Sequence, residues 1–519
     1  MLKQLACSGL ACVFLLAPVA GWASDAATRT ITLLFTNDFE SAYEPVPAFW
    51  RSDIARIGGV AELATLIDQV REESPHSFLF DAGDIFTGTL AKLTKGAISF
   101  ELMMTMGYDA MGIGNHEFEY GWQTFAQQKD RVAFPVLGAN LFYKDTTHPY
   151  AQPYCIIERD GVRVGVIGVL GLDAATALVP SNIAGVDVHD PVSTVRRYVS
   201  LLEDEVDLIV VLTHQGFTAP MQTDDEADLS VQRGNAANVQ LAGAVDGIDV
   251  ILAGHTDAGT PEPIEHPETG TLIMQTYGQG QHLGVLRIQQ ETVSRRRLGF
   301  SGELIPVNSD ALVPAPKVVA KLASFRHRHP EIYERVGQTQ QGLVRRYTLE
   351  SDVGNLFADI LRSGSEAEIA LMPSGALRKD LPAGDVRLVD LLDAFPFEDR
   401  LALVTVTGAT LRRILEQGLS LQRGMLQVSG LEVVYDPKQP IGRRLISVSV
   451  NGERLDSGRS YRIATLEILA QGGDAYVQFK QAQKTHITER RFATMLEDYF
   501  RANKIVSLPL RDRLIVDSR

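Results

Sequence analysis

The chain has 519 residues, enough for two or three domains and a sizeable buried core. Its 45% hydrophobic and 22% charged residues are those of an ordinary globular protein. A net charge of −15 argues against nucleic acid or an anionic membrane surface as the main partner. A small anionic substrate stays open, because bound cations reverse the local field.

In chain order, residues 1–24 read as a secretory signal peptide: Lys3 gives the positive start, Leu5 to Ala20 are mostly apolar, and Ala20-Gly-Trp-Ala23-Ser offers small residues for cleavage. The apolar run is shorter than the roughly 20 residues of a spanning helix, and no other segment is apolar and long enough to cross a bilayer. Export to the periplasm is therefore expected. Once the signal is removed, only Cys155 remains, so no intrachain disulfide is possible and stability must come from the core or from bound metal.

A first domain is expected over residues 28–312. β-rich apolar runs at Ile31–Phe35, Ser77–Phe80, Ala110–Ile113, Val162–Val169, Leu208–Leu212 and Val250–Leu252 alternate with helical patterns such as Gly59–Arg71 and Asn238–Ala244. That alternation predicts a layered α/β domain, with functional residues just past the strand ends. Residues 313–336 predict a linking helix broken at Pro330. A second, α+β domain is expected over 337–519, with helices at Gly354–Arg362 and Thr410–Gln417 and strands at Leu401–Val406 and Leu445–Val450.

Nearly every strand of the first domain runs into polar, metal-capable residues: Asn37-Asp38, Asp81-Ala-Gly-Asp84, Gly114-Asn115-His116-Glu117, Thr213-His214 and Gly254-His255-Thr256-Asp257. Taken singly, such a residue is more often a cap or a solvated loop residue. Together they point to one shared site. Hard divalent cations take carboxylate and amide oxygens, and imidazole suits zinc, manganese or iron. Asp38, Glu40, Asp84, Asn115, His214, His255 and Asp257 supply both kinds of ligand, enough for two cations with Asp84 as the natural bridge. Alternate residues at a strand end point the same way, which predicts that Asp38 and Glu40 converge. A pair of metals suits in-line displacement at phosphorus. His116 is placed to act as general acid, with Glu119 orienting its ring.

The series "TNDFES", "DAGDIFTG", "GNHEFEYG", "LTHQG" and "DVILAGHTD" resembles the calcineurin-like metallophosphoesterases. With "RIGGVAELATLIDQVR", "ESDVGNLFADIL", "PSGALRKDLPAGDVRLVDLLDAFPFEDRL" and "LAQGGDAY", it resembles more closely the secreted two-domain 5′-nucleotidase family, which includes UDP-sugar hydrolases and 2′,3′-cyclic-nucleotide phosphodiesterases. The resemblance implies a four-layer β-sandwich domain with flanking helices, followed by an α+β substrate-binding domain. It implies one metal on Asp38, Asp84, position 257 and position 40, and another on Asp84, Asn115, His214 and His255. His116, Glu119 and Asn115 would be catalytic. Arg378, Phe397 and Asp474 match residues that grip the nucleotide, and Arg345 or Arg346, with Arg346 preferred, would be an upstream phosphate-binding arginine.

Two departures fall on the same metal. The family usually has His at position 40 and a neutral residue or His at 257, where this chain has Glu40 and Asp257. The harder oxygen shell favours manganese, magnesium or calcium over zinc there. Pro373 and Ile468 depart at the substrate side, with Tyr476 a possible second aromatic. The implied activity is release of phosphate from nucleoside 5′-monophosphates. A phosphodiesterase, a UDP-sugar or cyclic-nucleotide hydrolase, or a catalytically degenerate exported binding protein remain alternatives.

Overall fold

A computed structural model describes residues 27–48, 51–216, 234–507, 509 and 511–517. The expected signal peptide lies outside the described residues. No helix among those described is long and apolar enough to cross a membrane.

Two six-stranded sheets pack face to face. The first runs in the order Arg297–Pro306, His282–Glu291, Thr28–Thr36, Ser77–Asp81, Ala110–Gly112, Val136–Leu137. The second runs Ile264–Glu265, Leu272–Gln275, Val250–Gly254, Leu208–His214, Val162–Leu170, Tyr154–Arg159. Period-two alternation sorts the side chains between layers. Ile31, Leu33 and Phe35 meet Val164, Val210 and Leu252 between the sheets. Leu34 faces the other way, onto the helix Val60–Glu72 through Leu63 and Ile67. On the far side, Val211 and Ile251 bury Val199 and Leu241 of the helices Pro191–Leu202 and Ala236–Ala244. The result is helix, sheet, sheet, helix: the expected four layers.

Strands Thr28–Thr36, Ser77–Asp81, Ala110–Gly112 and Val136–Leu137 are mutually parallel, as are Val162–Leu170, Leu208–His214, Val250–Gly254 and Leu272–Gln275. Parallel strands covered on both faces are continuous apolar runs, which is why these segments stood out in the sequence. Their carboxyl ends all open to the same edge of the sandwich. The antiparallel pair His282–Glu291 and Arg297–Pro306 was not expected. The second of these strands, RLGFSGELIP, has no buried residue, and Gly299 and Gly302 interrupt its apolar positions, so it lacks a continuous apolar run.

The helix Pro316–Arg328 stops just before Pro330 and is not a free connector: Val318, Leu322 and Phe325 are buried in the core of the first layer. Beyond it, a five-stranded sheet in the order Leu426–Ser429, Ile369–Pro373, Ser460–Leu466, Arg400–Thr407, Lys484–Arg491 carries the helices Asp352–Ser363 and Phe492–Ala502 on one face. The helix Gly408–Gly418 covers its other face. Cys155 is a buried free thiol, pushed up to about 12 by burial.

Candidate metal centre and substrate cleft

The strand Thr28–Thr36 ends at Thr36, and the chain turns at once into left-handed conformations, with φ of 48° at Asp38 and 46° at Glu40. Both side chains line one cleft. Their convergence therefore comes from this strained loop and not from strand alternation, as the sequence had suggested. The loop is zipped to its neighbour: Asp38 N donates to the Gly83 carbonyl at 2.9 Å and Glu40 N to the Asp84 carbonyl at 3.0 Å.

Asp84 also has a positive φ, 60°, and its loop closes tightly on the next one. A Cβ on Gly83 would stand 2.5 Å from Gly114 N, and one on Gly114 would stand 2.3 Å from Asp84 Oδ1. Glycine at both places permits His116 N to donate to Asp84 Oδ1 at 2.7 Å. Fully buried Glu117, which the sequence had grouped with the metal-capable strand ends without giving it a role, clamps this junction. Its carboxylate accepts from Asp84 N at 2.9 Å, Ile85 N at 2.9 Å and Gly114 N at 2.7 Å. Asp81 does similar service from the strand end, accepting from Thr36 Oγ1 and Gly83 N. An acidic residue directly after the candidate general acid was the only sequence signal for Glu117.

His214, at the end of its strand, turns Nδ1 to the Ala82 carbonyl at 2.8 Å and Nε2 to Asp84 Oδ2 at 2.9 Å. His255 N donates to both oxygens of Asp38, at 3.0 and 2.9 Å. Donor atoms of Asp84, His214 and His255 lie within 4.8 Å of one another, and so do those of Glu40, Asp84 and His116. Asp84 is common to both groups. Asp257, with φ 52°, lines the same cleft near Asp38, the two approaching across Gly278.

This centre carries more negative charge than it can ionise alone. Burial, against the pull of His214, pushes Asp38 up to about 7. Burial, with Asp38 and Glu40 adding to it, pushes Asp257 well above the carboxylate range. Asp84 goes the other way: burial would raise it, but His214 and His116 hold it well below that range. The same contacts raise His214 to about 10 and His116 to about 9 against the effect of burial. Burial, His214 and Arg423 depress His255 far below its usual value. Asn115 Oδ1 and Asp257 Oδ1 are buried without a hydrogen-bond partner. Orphaned acceptors beside crowded carboxylates fit divalent cations, so the donor set suits the metals that the sequence implied.

The cleft is closed from the opposite side by the carboxy-terminal half. Arg378 reaches across, with Nη1 3.1 Å from Glu40 Oε1 and Nη2 3.1 Å from His116 Nε2. Glu40 thus faces into the cleft and not into solvent. His116 Nδ1 stands 3.6 Å from Glu119 Oε2. Phe397 stacks on His116 with centroids 5.7 Å apart and carries Arg378 over its ring at 5.3 Å. Asp474, with φ 50°, and Ile468 complete the expected set.

Arg346 is not among the lining residues; its neighbour Tyr347 is, a one-residue difference in register that turns an aromatic rather than a guanidinium inward. Tyr476 is buried in the core and does not line the cleft. Arg423 and Asp399 do, and sequence reasoning missed both. Burial, with Glu119 next to it, pushes the Asp399 carboxyl up to about 8.

Residues 31–258 match the calcineurin-like phosphoesterase family, and residues 335–481 match the 5′-nucleotidase carboxy-terminal domain. The chain belongs to the two-domain 5′-nucleotidase family of metallophosphoesterases. These are phosphoric ester hydrolases, and the four-layer domain with its α+β companion is their architecture. The chain is 26% identical to a 5′-nucleotidase of Vibrio cholerae, over 95% of this chain and 94% of that one. It is 28% identical to the trifunctional nucleotide phosphoesterase YfkN of Bacillus subtilis over 82% of this chain, which spans only 32% of that protein. The crystal structure of a 5′-nucleotidase precursor from Thermus thermophilus superposes with a TM-score of 0.83 at 26% identity, covering 95% of this chain and all of the other.

Proposed function

We propose that this member of the 5′-nucleotidase family is an exported phosphohydrolase that releases phosphate from nucleoside 5′-monophosphates with two divalent cations. The observation that carries the reading is the cleft itself. Metal-type donors from the first domain face an arginine, an aromatic ring and an acid from the second. Asp38, Glu40, Asp84 and Asp257 would hold one cation, and Asp84, Asn115, His214 and His255 the other. When bound, such cations neutralise phosphoryl charge and make water nucleophilic near neutral pH.

The remaining work falls to side chains. Arg378 offers a planar fork of donors to the phosphoryl oxygens, geometry that a lysine lacks. Phe397 gives the base a face to stack on, and Asp474 accepts from ribose hydroxyls. Phosphoryl transfer needs the nucleoside oxygen to leave as the P–O bond breaks. His116, raised against the effect of burial by Asp84, passes its Nε2 proton to that oxygen once Arg378 turns from Nε2 to the phosphoryl group, while Glu119 at 3.6 Å from Nδ1 orients the ring. The residue 1–24 signal supports export.

The test is phosphate release from AMP, UMP, an aryl phosphate, a cyclic nucleotide and a UDP-sugar, with the metal content of the purified protein measured alongside. Preference for the nucleoside monophosphates with two bound metals is the expected result. Preference for the diesters would move the protein to the phosphodiesterase alternative. No product from any ester would leave a binding protein.

A further inference from the structure

Arg423 precedes the strand Leu426–Ser429 and is only 6% exposed, yet it lines the cleft beside His255 and Asp474. Its contacts are with uncharged groups: Nη1 lies 3.2 Å from His255 Nε2, and Nη2 donates to the Asp173 carbonyl at 3.3 Å. Among the described residues no carboxylate comes within ion-pair distance of it, whereas Arg378 has Glu40. A guanidinium has five N–H donors and does not lose its charge. Burying one against a ring nitrogen and a carbonyl is unfavourable unless an anion completes its surroundings.

His255 Nε2 has a single lone pair. A cation held by His255 uses that pair, and Arg423 Nη1 then needs another acceptor in the cleft. Arg378 enters on the Glu40 and His116 side, and Arg423 on the His255 and Asp173 side, so the two guanidiniums flank the carboxylate cluster.

We propose that Arg423 is a second phosphate-binding residue, gripping the substrate's phosphoryl group opposite Arg378 and supplying the cation that the sequence had placed at Arg346. The assignment rests on the phosphohydrolase reading. Its fork favours dianionic monoesters and orthophosphate over diesters, which carry one charge and present fewer free oxygens.

The experiment compares wild type, Arg423→Gln and Arg423→Lys, each loaded with the same metal and checked for metal content. Orthophosphate affinity is measured by calorimetry, and kcat and KM are measured with AMP and with the diester bis(p-nitrophenyl) phosphate. Arg423→Gln should weaken orthophosphate at least about ten-fold and raise KM for AMP more than for the diester, with Arg423→Lys recovering part of the loss. Metal content should not change.

Orthophosphate affinity equal to wild type in an active, metal-loaded Arg423→Gln protein would overturn the assignment. So would a loss of affinity that merely follows loss of metal, since Arg423 would then only support His255. If Arg423→Gln does not fold, Arg423→Lys decides on the same readouts. A wild-type protein that neither binds orthophosphate nor cleaves any ester would sink the phosphohydrolase reading itself, a distinct result.

Discussion

Arg378 Nη1 lies 3.1 Å from Glu40 Oε1, joining a carboxy-terminal guanidinium to an acid of the candidate metal centre. The same guanidinium touches His116 Nε2. One side chain therefore links the Glu40 carboxylate, the candidate proton donor and the substrate side of the cleft. Removal of a single preorganised donor of this kind typically costs 10²–10³ in turnover. Arg378→Ala is expected to lower kcat/KM for AMP by about that factor. Arg378→Lys should recover little, because the fork is lost although the charge is kept. Steady-state kinetics on metal-loaded protein would settle the point, and a variant within about three-fold of wild type would refute it.

Glu40 and Asp257 set the character of one cation site. Replacing Glu40 with His removes a charge and softens the donor set, so Glu40→His should shift preference toward zinc and away from manganese or magnesium. It also deprives Arg378 of its ion partner. Metal content after growth in defined medium, together with activity against each metal, gives the answer. An unchanged metal profile would mean that Glu40 serves Arg378 alone.

Glu117 makes a different prediction. Its fully buried carboxylate collects backbone N–H groups from the Asp84 and Asn115 loops. Glu117→Gln turns an amide N–H₂ toward donors, leaving buried groups unsatisfied at about 1–3 kcal/mol each. A lowered Tm together with weakened metal retention is expected, since the same clamp positions Asp84. A Tm and metal content equal to wild type would show that the loops hold without it.

His282 gives the fold a pH dependence apart from catalysis. Burial, with Arg51 nearby, depresses it from 6.5 to about 4, and it packs on Tyr277 at 5.1 Å. As pH falls below 6.5 the unfolded chain takes up a proton that the folded chain refuses. The unfolded state then binds more protons, and stability drops with falling pH until about pH 4, by about 3 kcal/mol in total. Urea midpoints at pH 7.5, 5.5 and 4.5 should fall less steeply for His282→Gln than for wild type. Parallel declines would assign the acid sensitivity to other groups.

The metal-type residues were legible because parallel strands are short apolar runs, and each breaks off abruptly where the chemistry begins. The helix Val60–Glu72 falls within a residue of its expected span for a similar reason: its apolar stripe has a clear period. Arg423, Tyr347 and Asp399 were not legible. Each reaches the cleft from a loop of the second domain, where no periodicity marks which side chain turns inward, and Arg346 shows how a single-residue register error exchanges a guanidinium for a ring. The role of Glu117 was missed for another reason. Its partners are backbone N–H groups, and no residue pattern advertises those.

The left-handed φ angles at Asp38, Glu40, Asp84, His255, Asp257 and Asp474 also limit how this cleft can be re-engineered. Each position imposes a conformation that costs a side-chain-bearing residue about 1–2 kcal/mol, and a β-branched one more. Libraries restricted to Asp, Asn, His, Glu and Gly at these positions would retain most of their folded members. Fully randomised ones would lose theirs to the backbone before any ligand chemistry was tested. Selection for new substrates is better directed at Ile468, Tyr347 and Pro373, which line the same cleft in ordinary conformations.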